Sequence, residues 1–215
     1  MDPLIRPQKR EKSKLVSKII SVIILLFMVG WVFAAYYGLN LSAGQKQEEN
    51  VITANGYSFY VLPDNTFGTY LTIGDKKFPI AFRLDPRQAG NIELNPSVIQ
   101  QILNSKKIYI TFDPLAGKEA VPKFGITSAE ISRVTGLYNL ETIGAFTRDS
   151  NPISPNTPIK TCDDAMPGVT VIELLIADTN KIVSDKNCVK IYGKSADDLI
   201  LAADKLGMNL IGIKL

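Results

Sequence analysis

No histidine occurs among the 215 residues of this chain. That absence removes the Ser-His-Asp and Cys-His nucleophile systems, imidazole general bases and the common zinc hydrolase sites. Cysteine is nearly as scarce: Cys162 and Cys188 are the only two, too few soft ligands for a structural zinc site. No glycine-rich loop of the P-loop or dinucleotide-binding type is present. Asp163-Asp164, and Asp178 with Asp185, offer carboxylates for calcium, but the 12-residue loop with its central Gly and terminal Glu is missing. Asp85-Pro86 and Asp113-Pro114 each follow an expected strand and read as strand-ending turns rather than as site carboxylates. The sequence therefore predicts no catalytic residue, no cofactor and no metal site.

Charge is absent from one long stretch, residues 19–39. As a helix this 21-residue run is about 30 Å long, the thickness of a bilayer's hydrocarbon core. Lys18 stands at its near end and Trp31, Tyr36 and Tyr37 at its far end, the side chains that settle at membrane–water boundaries. Residues 1–18 hold 6 basic and 2 acidic groups, and such an excess of Lys and Arg belongs on the cytoplasmic side. The expectation is a cytoplasmic tail over 1–18, a single transmembrane helix over 19–39 and an extracytoplasmic remainder. Val32-Phe33-Ala34 and Phe33-Ala34-Ala35 resemble signal-peptide cleavage sites. The apolar run, however, outlasts the usual 7–15 residues and continues past both, so it reads as a retained signal-anchor.

Outside the tail, 18 basic groups face 19 acidic ones. The overall charge of +3 thus belongs to the anchor, and no nucleic-acid partner is expected. The partners expected are the lipid bilayer, through 19–39, and a protein or envelope component.

The rest reads as α+β: antiparallel strands with packed helices, in one or two lobes. Residues 40–55 read as a stalk, 56–147 as an α+β lobe, 148–160 as a proline-rich connector and 161–215 as a C-terminal α+β lobe. Strands are expected over 57–62, 67–73 and 77–83 as an antiparallel meander, with Pro79 confining the third to an edge. Asn95-Pro96 should start a helix, with a strand over 107–112 after it. Thr127 and Glu130 have capping-box spacing, with Ile131, Val134, Leu137 and Tyr138 as the stripe behind them. Residues 142–147 could return as a strand. Pro152, Pro155 and Pro158 break the pattern. Strands are expected over 169–176, 181–183 and 188–192. A last helix starts at Ser195-Asp198 and buries Leu199, Ile200, Ala203, Leu206, Leu210 and Ile211. Its Ala202, Ala203 and Gly207 permit close packing.

Both cysteines fall in the C-terminal lobe. An outward-facing domain lies in an oxidising environment, so Cys162 and Cys188 are expected to form a disulfide.

One stretch runs from Thr161-Cys162 through Val171-Ile172, Lys181-Ile182, Asn187-Cys188-Val189 and Gly193. It continues over Leu199-Ile200-Leu201-Ala202-Ala203-Asp204-Lys205-Leu206 to Leu210-Ile211-Gly212-Ile213. It resembles small single-pass, membrane-anchored archaeal proteins with a disulfide-containing C-terminal α+β unit. Tyr57-Ser58-Phe59 and the stretch from Ile108 to Phe112-Asp113-Pro114 are similar to the same group. The resemblance implies an archaeal cell-surface setting and the paired cysteines, and carries over no active site. The function expected is a non-catalytic binding or structural role in a surface assembly. A small-ligand receptor between two lobes, or a carboxylate or Ser-Lys enzyme, stands behind it.

Overall fold

Asn55-Gly56 is the hairpin signal that decides where the fold begins. Asn55 (φ 47) and Gly56 (φ 84) both hold positive φ, as a two-residue primed turn requires. They join β1 (Val51–Ala54) to β2 (Tyr57–Val61) in antiparallel register. The stalk expected over 40–55 is therefore corrected at its far end, where residues 51–54 are strand. The computed structural model describes residues 50–73, 75–149 and 154–215. The expected tail and span, with Lys18, Trp31, Tyr36 and Tyr37, lie outside the described residues. Among the described residues, no helix is long and apolar enough to cross a membrane.

β3 (Phe67–Ile73) and β4 (Lys76–Phe82) complete a four-stranded antiparallel sheet in the order β1-β2-β3-β4. Pro79 lies on the edge strand β4, as its missing donor demands. Alternation puts Phe59, Ile80 and Phe82 on one face, where they are buried. Tyr60 and Tyr70 meet edge to face on the other at 6.0 Å.

Next come α1 (Pro86–Ala89), β5 (Glu93–Leu94), α2 (Ser97–Leu103), β6 (Lys107–Phe112), α3 (Ala120–Gly136) and β7 (Glu141–Phe146). After the proline-rich stretch follow β8 (Val169–Ile176), β9 (Lys181–Asp185), β10 (Cys188–Gly193) and α4 (Ala196–Leu210). β5 to β10 form a second sheet in the order β5-β9-β10-β8-β6-β7. Only β9 and β10 pair antiparallel; the other four pairings are parallel. The α+β class holds, but this sheet is mixed rather than antiparallel. The cause is connectivity: β6 reaches β7 over a helix, and a helical crossover returns the chain in the same direction.

β8 pairs with β6 from Lys107↔Val169 to Thr111↔Glu173, so strands from both sides of the proline-rich stretch share one sheet. The division into lobes over 56–147 and 161–215 is thereby corrected, and residues 50–215 form one compact unit. The connector at 148–160 is no boundary.

The helices follow their local signals with one displacement. Asn95 Oδ1 accepts from the Ser97 amide at 3.0 Å at the start of α2, and Ser195 Oγ accepts from the Asp198 amide at 3.1 Å at the start of α4. α3, however, begins at Ala120, with Pro122 in its first turn, where a missing N–H costs nothing. Thr127, expected as its cap, is interior and donates to the Lys123 carbonyl. Leu137 and Tyr138 lie past the helix and are exposed rather than part of its stripe.

Twelve of the fifteen residues of α4 are buried, far more than a one-sided stripe. It packs against α3, against strands of the six-stranded sheet and against the four-stranded sheet through Phe82. Gly207 marks this junction: a Cβ there would lie 3.0 Å from Val134 Cγ2 and 3.4 Å from Phe82 Cε1. Gly207→Val is expected to destabilise the protein by about 1–3 kcal/mol through overpacking. The readout is a lower urea midpoint, while Gly144→Ala, with nothing within 4 Å of its added Cβ, should leave that midpoint nearly unchanged.

Candidate functional site

Three polar features stand out from this framework, beginning with the disulfide. Helices cover one face of the six-stranded sheet, and residues 158–166 cross the other. The Phe146 amide donates to the Pro158 carbonyl and the Lys160 amide to the Phe146 carbonyl, at 2.9 and 2.8 Å. Thr111 Oγ1 donates to the Lys160 carbonyl at 2.7 Å, and the Lys160 ammonium lies 5.5 Å over the Tyr109 ring. A 3-10 turn, Cys162–Asp164, follows. Cys162 is disulfide-bonded to Cys188 on β10, with Cα atoms 5.3 Å apart, as expected from the sequence. Thr111, Ala145, Val171 and Cys188 on this face are buried.

The cysteine sulfurs and a Glu173 carboxylate oxygen lie within 4.8 Å of one another. The sulfurs are bonded to each other, so neither is the thiolate a soft metal needs. Four of the other singled-out carboxylates, Asp164, Asp185, Asp85 and Asp113, serve local structure. Asp164 accepts from the Thr161 amide at 2.8 Å, and that bond holds its carboxyl below the ordinary range. Asp185 pairs with Lys190. Asp85 accepts from the Arg87 amide and guanidinium, which lowers its pKa. Asp113 accepts from the Leu115 amide and pairs with Arg148 at 2.6 Å.

Asp204 is the second feature, and the sequence reading passed over it. Its side chain sits in the interior, 1% exposed, on α4. Oδ2 accepts from the Arg83 and Leu84 amides at 3.0 and 2.8 Å, just beyond β4. Oδ1 has no partner among the described residues. Burial, with the nearby Glu130 carboxylate adding to it, pushes the pKa from 3.8 up to about 7. Glu130 itself is shared by Arg83 and Arg133, each at 2.9 Å. Those three side chains line an open concavity of about 300 Å³ beside the edge strand β4.

The third feature is a cleft of about 530 Å³ between β5, α2, α4, Leu215 and the residues that follow α1. Ile92, Leu94 and Ile99 give it apolar walls, and Gln100, Lys205, Asn209 and Lys214 supply polar atoms. Lys205 is 4% exposed. Its ammonium donates to the Leu215 main-chain oxygen, and burial lowers its pKa. The sequence signal for both hidden charges was their place inside Leu199-Ile200-Leu201-Ala202-Ala203-Asp204-Lys205-Leu206. On a one-sided helix they would have faced water.

Asp204 sets a pH dependence. The folded chain holds this proton to about pH 7, whereas the unfolded chain releases it near 3.8. Between those values the folded state binds more protons, so this contribution to stability is lost as pH rises from about 4 to 7 and is flat above. The loss amounts to as much as about 4 kcal/mol. Asp204→Asn keeps the acceptor for the two amides and removes the titration. Denaturant unfolding across that window should show the decline in the wild type and its absence in the variant.

No family model, curated protein or solved structure matches the chain, so its own chemistry alone bears on what it does.

Proposed function

We propose that the protein is a membrane-tethered, extracytoplasmic protein with a non-catalytic binding role in a cell-surface assembly. The Cys162–Cys188 disulfide carries this reading, because such bonds persist in oxidising compartments and are rare in reducing ones. The uncharged run over 19–39 and the cationic tail before it supply an anchor of the matching orientation. Two of the carboxylates open to a histidine-free enzyme take part in structural contacts. Asp204 bonds backbone amides in the interior, and Glu130 is held between two arginines. A receptor pocket between two lobes loses its basis, since the residues that would form the lobes share one sheet.

Two measurements test the reading. Protease added to intact cells should digest residues 50–215 and leave the basic tail protected, and alkaline carbonate should leave the chain in the membrane fraction. A protected folded domain, or a chain released without detergent, would overturn it. Replacing both cysteines by serine should lower the unfolding free energy by about 3–4 kcal/mol. Reductant should then no longer affect the denaturation midpoint of the variant.

A further inference from the structure

We infer that the outer face of the four-stranded sheet rests on the surface of the bilayer that anchors the chain. The inference depends on the membrane-tethered reading above and adds a second, reversible contact to it. Register defines the face. Val51 pairs with Tyr60, Tyr60 with Gly68 and Gly68 with Ala81, one row across all four strands. Side chains two positions on share that face, so Thr53 with Ser58, and Tyr70 with Pro79, make the next row. The opposite face holds Phe59, Ile80 and Phe82 in the core, and these two rows therefore point away from the helices.

Neither row contains a charged side chain. The second face of an antiparallel sheet is ordinarily polar where water meets it, yet Val51 is 47% and Tyr70 56% exposed. Leu62, just past β2, folds over the same face, its Cδ1 3.3 Å from where a Gly68 Cβ would stand, and it too is exposed. Tyr60 meets Tyr70 edge to face. The face is thus a strip of aliphatic and aromatic surface, and its next row brings a cation, Lys77 opposite Thr72.

Two observations select lipid as the occupant. Tyrosine carries an apolar ring and a polar hydroxyl, the combination that settles at a membrane–water boundary. A lysine beside it lays its stem on apolar surface and presents its ammonium to head-group phosphates. The second observation is the tether. Residues 40–50, 11 in all, separate the uncharged run from Val51, and their full extension is about 36–40 Å. The face begins at the first residue of β1, so it cannot leave the neighbourhood of the bilayer, and a tethered contact needs little affinity of its own. The layers give the opposite surface a different fate. α4 lies between the two sheets, and Met166, 56% exposed, belongs to the segment on the far side of the six-stranded sheet.

The test uses the full chain in phosphatidylcholine nanodiscs, with or without bromine along the acyl chains, because bromine quenches an indole only at close range. Trp31 is the one tryptophan, so wild-type emission reports whether residues 19–39 sit in lipid, and brominated discs should quench it. In a Trp31→Phe background, Tyr70→Trp should lose emission to brominated lipid and be shielded from aqueous acrylamide. Met166→Trp in the same background should lose none to bromine and stay open to acrylamide. Val51→Trp reads the same face and keeps the test valid if the Tyr70 variant fails to fold. Quenching of Trp31 without quenching at positions 51 and 70 would overturn the docking and leave the anchor standing. Shielding from acrylamide without quenching by bromine would give the face to a protein, a second copy included, and overturn it as well. Equal quenching at 166 and 70 would overturn the choice of face. No quenching of Trp31 would overturn the anchor and this inference together.

Discussion

A helix without a solvent face is the constraint on which this structure depends. α4 packs against strands of one sheet on one flank, and against α3 and Phe82 of the other sheet elsewhere. Every buried polar group on it must then find a partner inside the protein or be neutralised. Asp204 does both: it accepts from two strand-end amides and keeps its proton to near neutrality. Lys205, one position on and turned by about 100°, reaches the Leu215 main-chain oxygen instead. The same crowding explains Gly207, where a methyl group would press against Val134 and Phe82. One burial thus dictates a glycine, a protonated carboxyl and a dehydrated ammonium within four residues.

The six-stranded sheet faces a complementary problem. Its helices lie on one side, and a largely parallel sheet is stable only when both faces are covered. This chain covers part of the second face, around Thr111, Val171 and Cys188, with irregular backbone. That solution leaves carbonyls and amides to satisfy, and the segment meets them through β7, Thr111 and a capped 3-10 turn. Irregular segments have little cooperative stability of their own. The disulfide to Cys188 therefore acts as a staple that keeps the cover on the sheet.

Most local signals in the sequence were faithful, the capping spacing at Thr127 and Glu130 excepted, and long-range ones were not. The capping residues of α2 and α4, the edge position of Pro79 and the cysteine pair are each written in a few neighbouring residues. The hairpin at Asn55-Gly56 was equally legible, yet the polar residues before it drew Val51–Ala54 into a stalk. The pairing of β6 with β8 is different in kind. It joins residues about sixty positions apart, and the cluster Pro152, Pro155 and Pro158 between them mimics a linker. Nothing in a single sequence distinguishes a crossing held down by side chains from a free connector. The cleft was hidden for a related reason: its walls come from the residues after α1, from β5, α2 and α4, and from Lys214 and Leu215, and no motif spans them.

The strand order has one more consequence. β6 and β7 are synthesised first, but the inner flank of β6 is filled only by β8. As the polypeptide emerges from the ribosome, N-terminus first, that row of amides and carbonyls stays open through the whole proline-rich passage. An unpaired strand flank is a template for association with any extended segment nearby. The flank of β6 is therefore completed only once β8 has been made, after every residue that separates the two strands in the chain.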